Sequence, residues 1–296
     1  MDTMERTILF AVDDDEALPE AMPVVAVYAR RWRASVRVLH VAVKDAPNGS
    51  ARRLVMEVVD RLRGEGIEAE GEVRPLPAGK EAGEVVAEAA AHADLVVTGS
   101  HGRSELGVLF HGSVGESAAH RLEAPMLVLR APFAVPAAVE PLTVLVAVDG
   151  SPASDEAAAE AAAVASGFGA GVLVLHVIPL VTVAGVGPVE SEQEAQAILR
   201  RGMATVEERG VRASGEIAVD RSVAGAIAAA AQRLAADLVV LGSRRPSPLQ
   251  GLVLGSVAHE VIHQLRRPVL LARPVRAQNQ VRPAVAARPS LRIGGS

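Results

Sequence analysis

Apolar residues in this chain fall in short runs closed by Asp, Gly or Pro, and longer Ala-rich stretches of helical character separate them. That alternation is the pattern of βα units on a parallel sheet. In the first half the expected strands are Thr7 to Val12, Ser35 to Val41, Glu68 to Val73, Leu95 to Thr98 and Met126 to Arg130, and each has an equivalent in the second half. Two helix starts are legible in the second half. Ser151-Pro152 sets an N-cap before a proline at the first helical position, and Ser191-x-x-Glu194 forms a capping box ahead of a helix expected to stop at Gly210. Five strands and four helices per half predict a small doubly wound α/β domain.

The pattern is written twice. Ile8-Leu9-Phe10-Ala11-Val12-Asp13 returns as Val144-Leu145-Val146-Ala147-Val148-Asp149, and Val38-Leu39-His40-Val41 as Val174-Leu175-His176-Val177, both at an offset of 136. Asp94-Leu95-Val96-Val97-Thr98-Gly99-Ser100 returns as Asp237-Leu238-Val239-Val240-Leu241-Gly242-Ser243 at an offset of 143, as do Gly112-Ser113-Val114 and Pro125, so seven extra residues lie within the second copy. A period near 140 marks a duplicated domain rather than a solenoid, whose repeats are about 20 to 50 residues. The expected organisation is a first domain over 1–131, a Pro-containing linker over 132–142, a second domain over 143–274 and a mobile Arg-containing tail over 275–296. A length of 296 residues agrees with two domains.

Composition narrows the partners. Aromatics make up only 2% of the chain, which argues against base-stacking platforms, and a net charge of −5 gives no footprint for nucleic acid. With no cysteine there is no disulfide framework, thiolate metal site or cysteine nucleophile. Residues 161–189 carry no Asp, Glu, Lys or Arg, yet Gly167, Gly169, Gly171, Pro179, Gly185, Gly187 and Pro188 divide them into a helix end, a strand and a loop rather than a membrane span. No signal-peptide pattern opens the chain, so a cytoplasmic location is expected.

Candidate chemistry gathers in Gly99-x-x-Gly102, followed after nine residues by Gly112-Ser113. Glycines after a strand allow close backbone approach to a ligand, and a helix opening at Ser113 offers free N–H groups and a positive dipole end to an anion. This signature, with Asp13 ending the first strand, resembles the ATP-binding branch of the universal stress protein family in its tandem form, over nearly all of residues 1–273. The resemblance implies a five-stranded parallel sheet of order 3-2-1-4-5 in each half, with helices on both faces. Ligands in such sheets bind where the strand order reverses. It further implies that Asp13 contacts the adenosine part of ATP, that the backbone of Val41 recognises adenine, and that Gly99, Gly102, Gly112 and Ser113 hold the triphosphate, with Mg or Mn entering only through the phosphates. Asp149, Val177, Gly242, Gly255 and Ser256 are the second-half equivalents.

Each half departs from the family at one place. Asp13-Asp14-Asp15 replaces the usual Asp-Gly-Ser, and the two added carboxylates are expected to cap the next helix, with solvation or a cation shared with the phosphates as alternatives. In the second half Arg245 replaces the second loop glycine. Its Cβ hinders backbone approach, although Arg244 or Arg245 folding over a phosphate is the other reading. A weakened or empty second site is expected. His259-Glu260-x-x-His263 spells a zinc-protease string, but no third ligand follows at a family spacing and the first half has Glu116 and His120 at the histidine positions. Gly167-x-Gly169-x-Gly171 precedes a strand, the wrong order for dinucleotide binding, and Gly79-Lys80 lacks the earlier glycine of a P-loop. His40 and His176 are read as packed strand residues, each with one hydrogen bond.

The function expected is that of an ATP-binding, nucleotide-dependent stress regulator with no positioned general base, at most a weak ATPase. A dimerising scaffold that binds no nucleotide is the alternative. The two fifth strands, Met126 to Arg130 and Val269 to Arg273, are expected to meet edge to edge within the chain, leaving a homodimer to other surfaces.

Overall fold

The computed structural model describes residues 6–12, 18–42, 48–101, 122, 124–131, 142–182, 186–188, 190–243 and 255–273. The first half contains β1 (Arg6–Val12), α1 (Leu18–Trp32), β2 (Ala34–Ala42), α2 (Asn48–Gly64), β3 (Ala69–Pro75), α3 (Ala82–Ala89), β4 (Leu95–His101) and β5 (Met126–Ala131). The second contains β6 (Thr143–Val148), α4 (Pro152–Phe168), β7 (Gly171–Thr182), β8 (Val186–Pro188), α5 (Glu192–Glu207), β9 (Ala213–Asp220), α6 (Val223–Arg233), β10 (Leu238–Gly242), α7 (Ser256–Gln264) and β11 (Val269–Ala272). The strands order as β3-β2-β1-β4-β5 in the first half and β9-β7-β6-β10-β11 in the second, parallel throughout. Both are 3-2-1-4-5 sheets. Because helices cover both faces, the central strands are apolar without alternation, and Val144, Leu145 and Val146 are all fully buried.

The helix starts follow their local chemistry. Ser151 caps α4 by accepting from the Ser154 N–H at 3.3 Å, with Pro152 as the first helical residue. Ser191 and Glu194 complete the reciprocal capping box of α5, and Glu194, held as an acceptor by Ser191, has its carboxyl lowered below the ordinary value. That helix ends at Glu207 rather than running to Gly210, which instead takes φ 73° in the turn beyond.

The extra residues of the second copy become structure. From Val41 and Val177 to the first residues of α2 and α5, the offset grows from 136 to 144 (192 − 48). In that interval β7 runs on to Thr182 and pairs antiparallel with β8, Leu180 opposite Pro188. A loop was expected there. A backbone ladder needs no strong apolar pattern, and Gly185, Gly187 and Pro188 hide it.

The two sheets join into one. β5 and β11 pair antiparallel, with Leu127 opposite its own duplicate Leu270 and Val128 opposite Val269. Such a reciprocal register is the mark of a local two-fold axis. Met126, Leu127, Val128, Val269, Leu270 and Leu271 are at most 1% exposed, so the two short apolar edges cover one another. On one face α1 meets α4 across this seam. Tyr28 lies edge-on to Phe168 at 5.0 Å and to Trp32 at 5.4 Å, while the Arg6 guanidinium sits 5.1 Å over the Trp32 ring. The apolar core on each face therefore runs through both halves.

Candidate functional site

The strand order reverses between β1 and β4 in the first half and between β6 and β10 in the second, and sheets of this kind have their ligand crevice at the carboxyl ends of the strands flanking such a reversal. In the first half β1 ends at Val12, and Ala11 lies beside Thr98 of β4. Val41 near the end of β2 and Gly99 near the end of β4 are thus brought to the same edge. Asp13, Gly102, Gly112 and Ser113 lie outside the described residues, as do Asp14, Asp15, Arg244 and Arg245.

Two first-half residues stand at this edge: His40, read from the sequence as a packed strand residue with one hydrogen bond, and Thr98, which went unread. His40 is 4% exposed and its Nδ1 lies 3.1 Å from the Val12 carbonyl oxygen. A carbonyl can only accept, so Nδ1 carries the proton and donates. The last described carbonyl before Asp13 is held by a side chain from the neighbouring strand. Thr98, one residue before Gly99, is 4% exposed and its Oγ1 finds no partner among the described residues. A buried orphan hydroxyl is costly, and a ligand or water is the ordinary way to satisfy it.

The second half repeats the histidine and adds to it. His176 Nδ1 donates to the Val148 carbonyl at 2.8 Å, while Nε2 lies 2.5 Å from the Glu190 carboxylate. Both ring nitrogens face acceptors, which ties the end of β6 to the residue preceding the α5 cap. Asp149 follows Val148, and its Oδ1 accepts from the Ser151 N–H at 3.0 Å. Gly150 between them has φ 77°, the left-handed region that a side chain strains. One oxygen of Asp149 thus shapes the turn into α4.

Gly242 has a packing reason of its own. A Cβ there would stand 2.5 Å from the Ala153 carbonyl oxygen in the first turn of α4. The glycine is demanded by that contact whether or not a ligand binds. Val177, 7% exposed, sits beside His176 in β7, and Gly255 and Ser256 open α7 with no side-chain cap. Ser243, after Gly242, is 5% exposed; its Oγ donates to the Ala272 carbonyl at 2.7 Å and accepts from Arg273 Nη1 at 2.8 Å. Arg273 is itself 6% exposed, and burial pushes its guanidinium down to about 10, against the opposing field of Glu156.

Other repeated residues serve the fold. Asp94 and Asp237 accept from the Thr7 and Thr143 N–H groups at 2.7 and 2.8 Å, at the opposite edge of the sheet from the crevice. The rings of His259 and His263 are 4.5 Å apart, and no group of three or more His, Cys, Asp or Glu residues able to hold a metal occurs among the described residues. Among those residues no helix is long and apolar enough to cross a membrane, and Gly171 to Thr182, inside the uncharged run, form β7.

Known proteins bear the same architecture. The model of the universal stress protein family matches the chain twice, over residues 4–130 and 142–273. A universal stress protein of Mycobacterium tuberculosis, Rv2005c, is 35% identical over 186 residues, covering 61% of this chain and 62% of the relative, less than two thirds of its length. Another, from Methanocaldococcus jannaschii, is 31% identical over 139 residues, 44% of this chain and 81% of that protein. The crystal structure of a universal stress protein from Archaeoglobus fulgidus shares the fold at a TM-score of 0.72 and 20% identity, over 90% of this chain and 96% of that one. Both copies of the pattern fall within the matched segments, and the chain accordingly belongs to the universal stress protein family, in a tandem two-domain form.

Proposed function

We propose that the first half binds ATP at the carboxyl ends of β1 and β4 and that the chain is a nucleotide-dependent regulator in a stress response, with at most weak turnover of the nucleotide. One observation carries the reading: Gly99 stands at the strand-order reversal, beside the orphaned Thr98 hydroxyl, and opens the Gly99, Gly102, Gly112, Ser113 series. A crevice there with free donors would receive phosphates, while Asp13 and the Val41 backbone would face the nucleoside. Mg or Mn would enter only with the phosphates. In the second half Gly242 is accounted for by Ala153 and Arg245 replaces the next glycine, so full nucleotide binding there is weakened. Since β5 and β11 already cover each other, a homodimer would use other surfaces. A cytoplasmic location goes with this reading.

Two measurements test this. Protein purified from cells and denatured should release ATP detectable by chromatography. Gly102→Val should abolish equilibrium ATP binding, and binding that survives Gly102→Val but is lost in Gly255→Val would move the site to the other half. Absence of bound and bindable nucleotide would leave the dimerising scaffold as the function.

A further inference from the structure

The outermost strands of the two parallel sheets are β3 and β9, and neither has a strand partner on its outer side among the described residues. They are duplicates of one another. Val36 and Val172 correspond between the halves and stand beside Ala69 and Ala213, so the two edges match at an offset of 144 (213 − 69). The Glu68 and Arg212 carbonyls accept from the Val36 and Val172 N–H groups, which places the backbone groups of Glu68 and Arg212 on the inner side. Since these groups point to alternate sides along a strand, the outward positions are 69, 71, 73 and 75 in β3 and 213, 215, 217 and 219 in β9.

One of these edges is guarded and the other is not. In β3, Pro75 at an outward position has no N–H to offer a further strand, and Glu70, Glu72 and Arg74 leave three of the seven residues charged. The matching places in β9 hold Val219 for the proline, Ser214 for Glu70 and Ala218 for Arg74, so that only the acid at 216 is kept. Val219 is 54% exposed, one of two large apolar side chains so placed among the described residues. Free N–H and C=O groups beside an exposed valine form a surface for main-chain pairing.

Charge selects the occupant. A second copy that pairs antiparallel about a two-fold axis, as β5 and β11 do within the chain, keeps each side chain on its own face only if the axis passes through one residue. An axis at position 216 sets Glu216 against its own copy, and one at 218 sets Glu216 against Asp220. An axis at Ile217 brings no like charges together: Glu216 faces Ala218, Asp220 faces Ser214 and Val219 faces Gly215. Leu199 and Met203 of α5 lie over Gly215, so the valine of the other copy closes on an apolar surface. The outward groups of Gly215, Ile217 and Val219 then meet their counterparts in about six hydrogen bonds. We propose that β9 is a homodimerisation edge, paired antiparallel with β9 of a second copy of this chain about Ile217. This rests on the reading that a homodimer uses surfaces other than the β5–β11 seam, and it names that surface.

Sedimentation velocity of the full chain over a concentration series reads the dimer dissociation constant. Ser214→Glu sets a carboxylate opposite Asp220 of the other copy twice per dimer and should weaken dimerisation about three- to tenfold, whereas Ser214→Lys should strengthen it by a similar factor. Ala218→Arg combined with Val219→Pro gives β9 the guard residues of β3 and should weaken the dimer about tenfold or more, with an unchanged circular dichroism spectrum. Ser214 is exposed, so its two variants decide the matter should the double variant fail to fold. A wild-type dimer indifferent to these substitutions, or one weakened equally by Ser214→Glu and Ser214→Lys, would overturn the β9 edge and leave the homodimer on another surface. A wild-type chain that stays monomeric throughout the series would refute the homodimer reading itself, and this edge with it.

Discussion

Burial, and after it the negative field of Glu160 on α4, push the Tyr28 phenol of α1 well above its ordinary range. Burial raises the Glu160 carboxyl from 4.5 to about 7, and the attraction of Arg6 and Arg209 only partly opposes it. The folded-state value lies above the unfolded one, so protonation favours the folded chain. That contribution is complete below about 4.5 and is lost as pH rises through about 7. At about 1.36 kcal/mol for each tenfold change in proton affinity, ionised Glu160 costs the fold roughly 3 kcal/mol. Glu160→Gln stays neutral at every pH. Its advantage over the wild type in unfolding free energy should grow by about 2 to 3 kcal/mol between roughly pH 5 and pH 8.5. Urea titrations followed by fluorescence read this directly, because the single tryptophan, Trp32, lies in the same helix contact, 5.4 Å from Tyr28. An advantage that is constant across that range, or one that shrinks with rising pH, would refute the assignment of a half-buried, proton-holding carboxyl to this contact.

Two further outcomes follow from packing. Gly242→Ala places a Cβ 2.5 Å from the Ala153 carbonyl, a backbone atom that cannot swing away, and should destabilise the second half by about 1 to 3 kcal/mol in urea titrations even in nucleotide-free protein; an unchanged midpoint would show that α4 does not pack there. Leu270→Ala, at a fully buried position opposite Leu127, should cost about 2 to 5 kcal/mol. Because the core runs through both halves, fluorescence and far-ultraviolet circular dichroism should still report one coincident transition at lower urea, and separate transitions for the two halves in the wild type would count against the shared core.

The α/β class, the duplication and the caps at Ser151 and Ser191 were readable because each rests on local chemistry: an apolar run, a repeated string, a hydroxyl three residues before a free N–H. The edge-to-edge joining of β5 and β11 was also foreseen, since two short apolar strands at the ends of open sheets have few other ways to be covered. The candidate site was readable only as a spacing of glycines and one aspartate. What those residues do depends on partners distant in sequence. Gly242 reads as a phosphate-loop glycine until Ala153, 89 positions away, is seen to forbid a Cβ there. His40 and His176 read as packing until their rings are found holding the carbonyls that end β1 and β6, and Glu190 has no visible tie to His176 in the chain order. Arg273 looks like any basic residue closing a strand; its burial exists only once β10, β11 and α7 have closed around it. Hydrophobic pattern and capping, which act over a few residues, already set the ten strands of the two parallel sheets and the helices between them, but not the β7–β8 ladder. Tertiary structure alone decided which side chains stand unpaired at the strand ends, because desolvation and close approach are properties of neighbours that the linear order keeps apart.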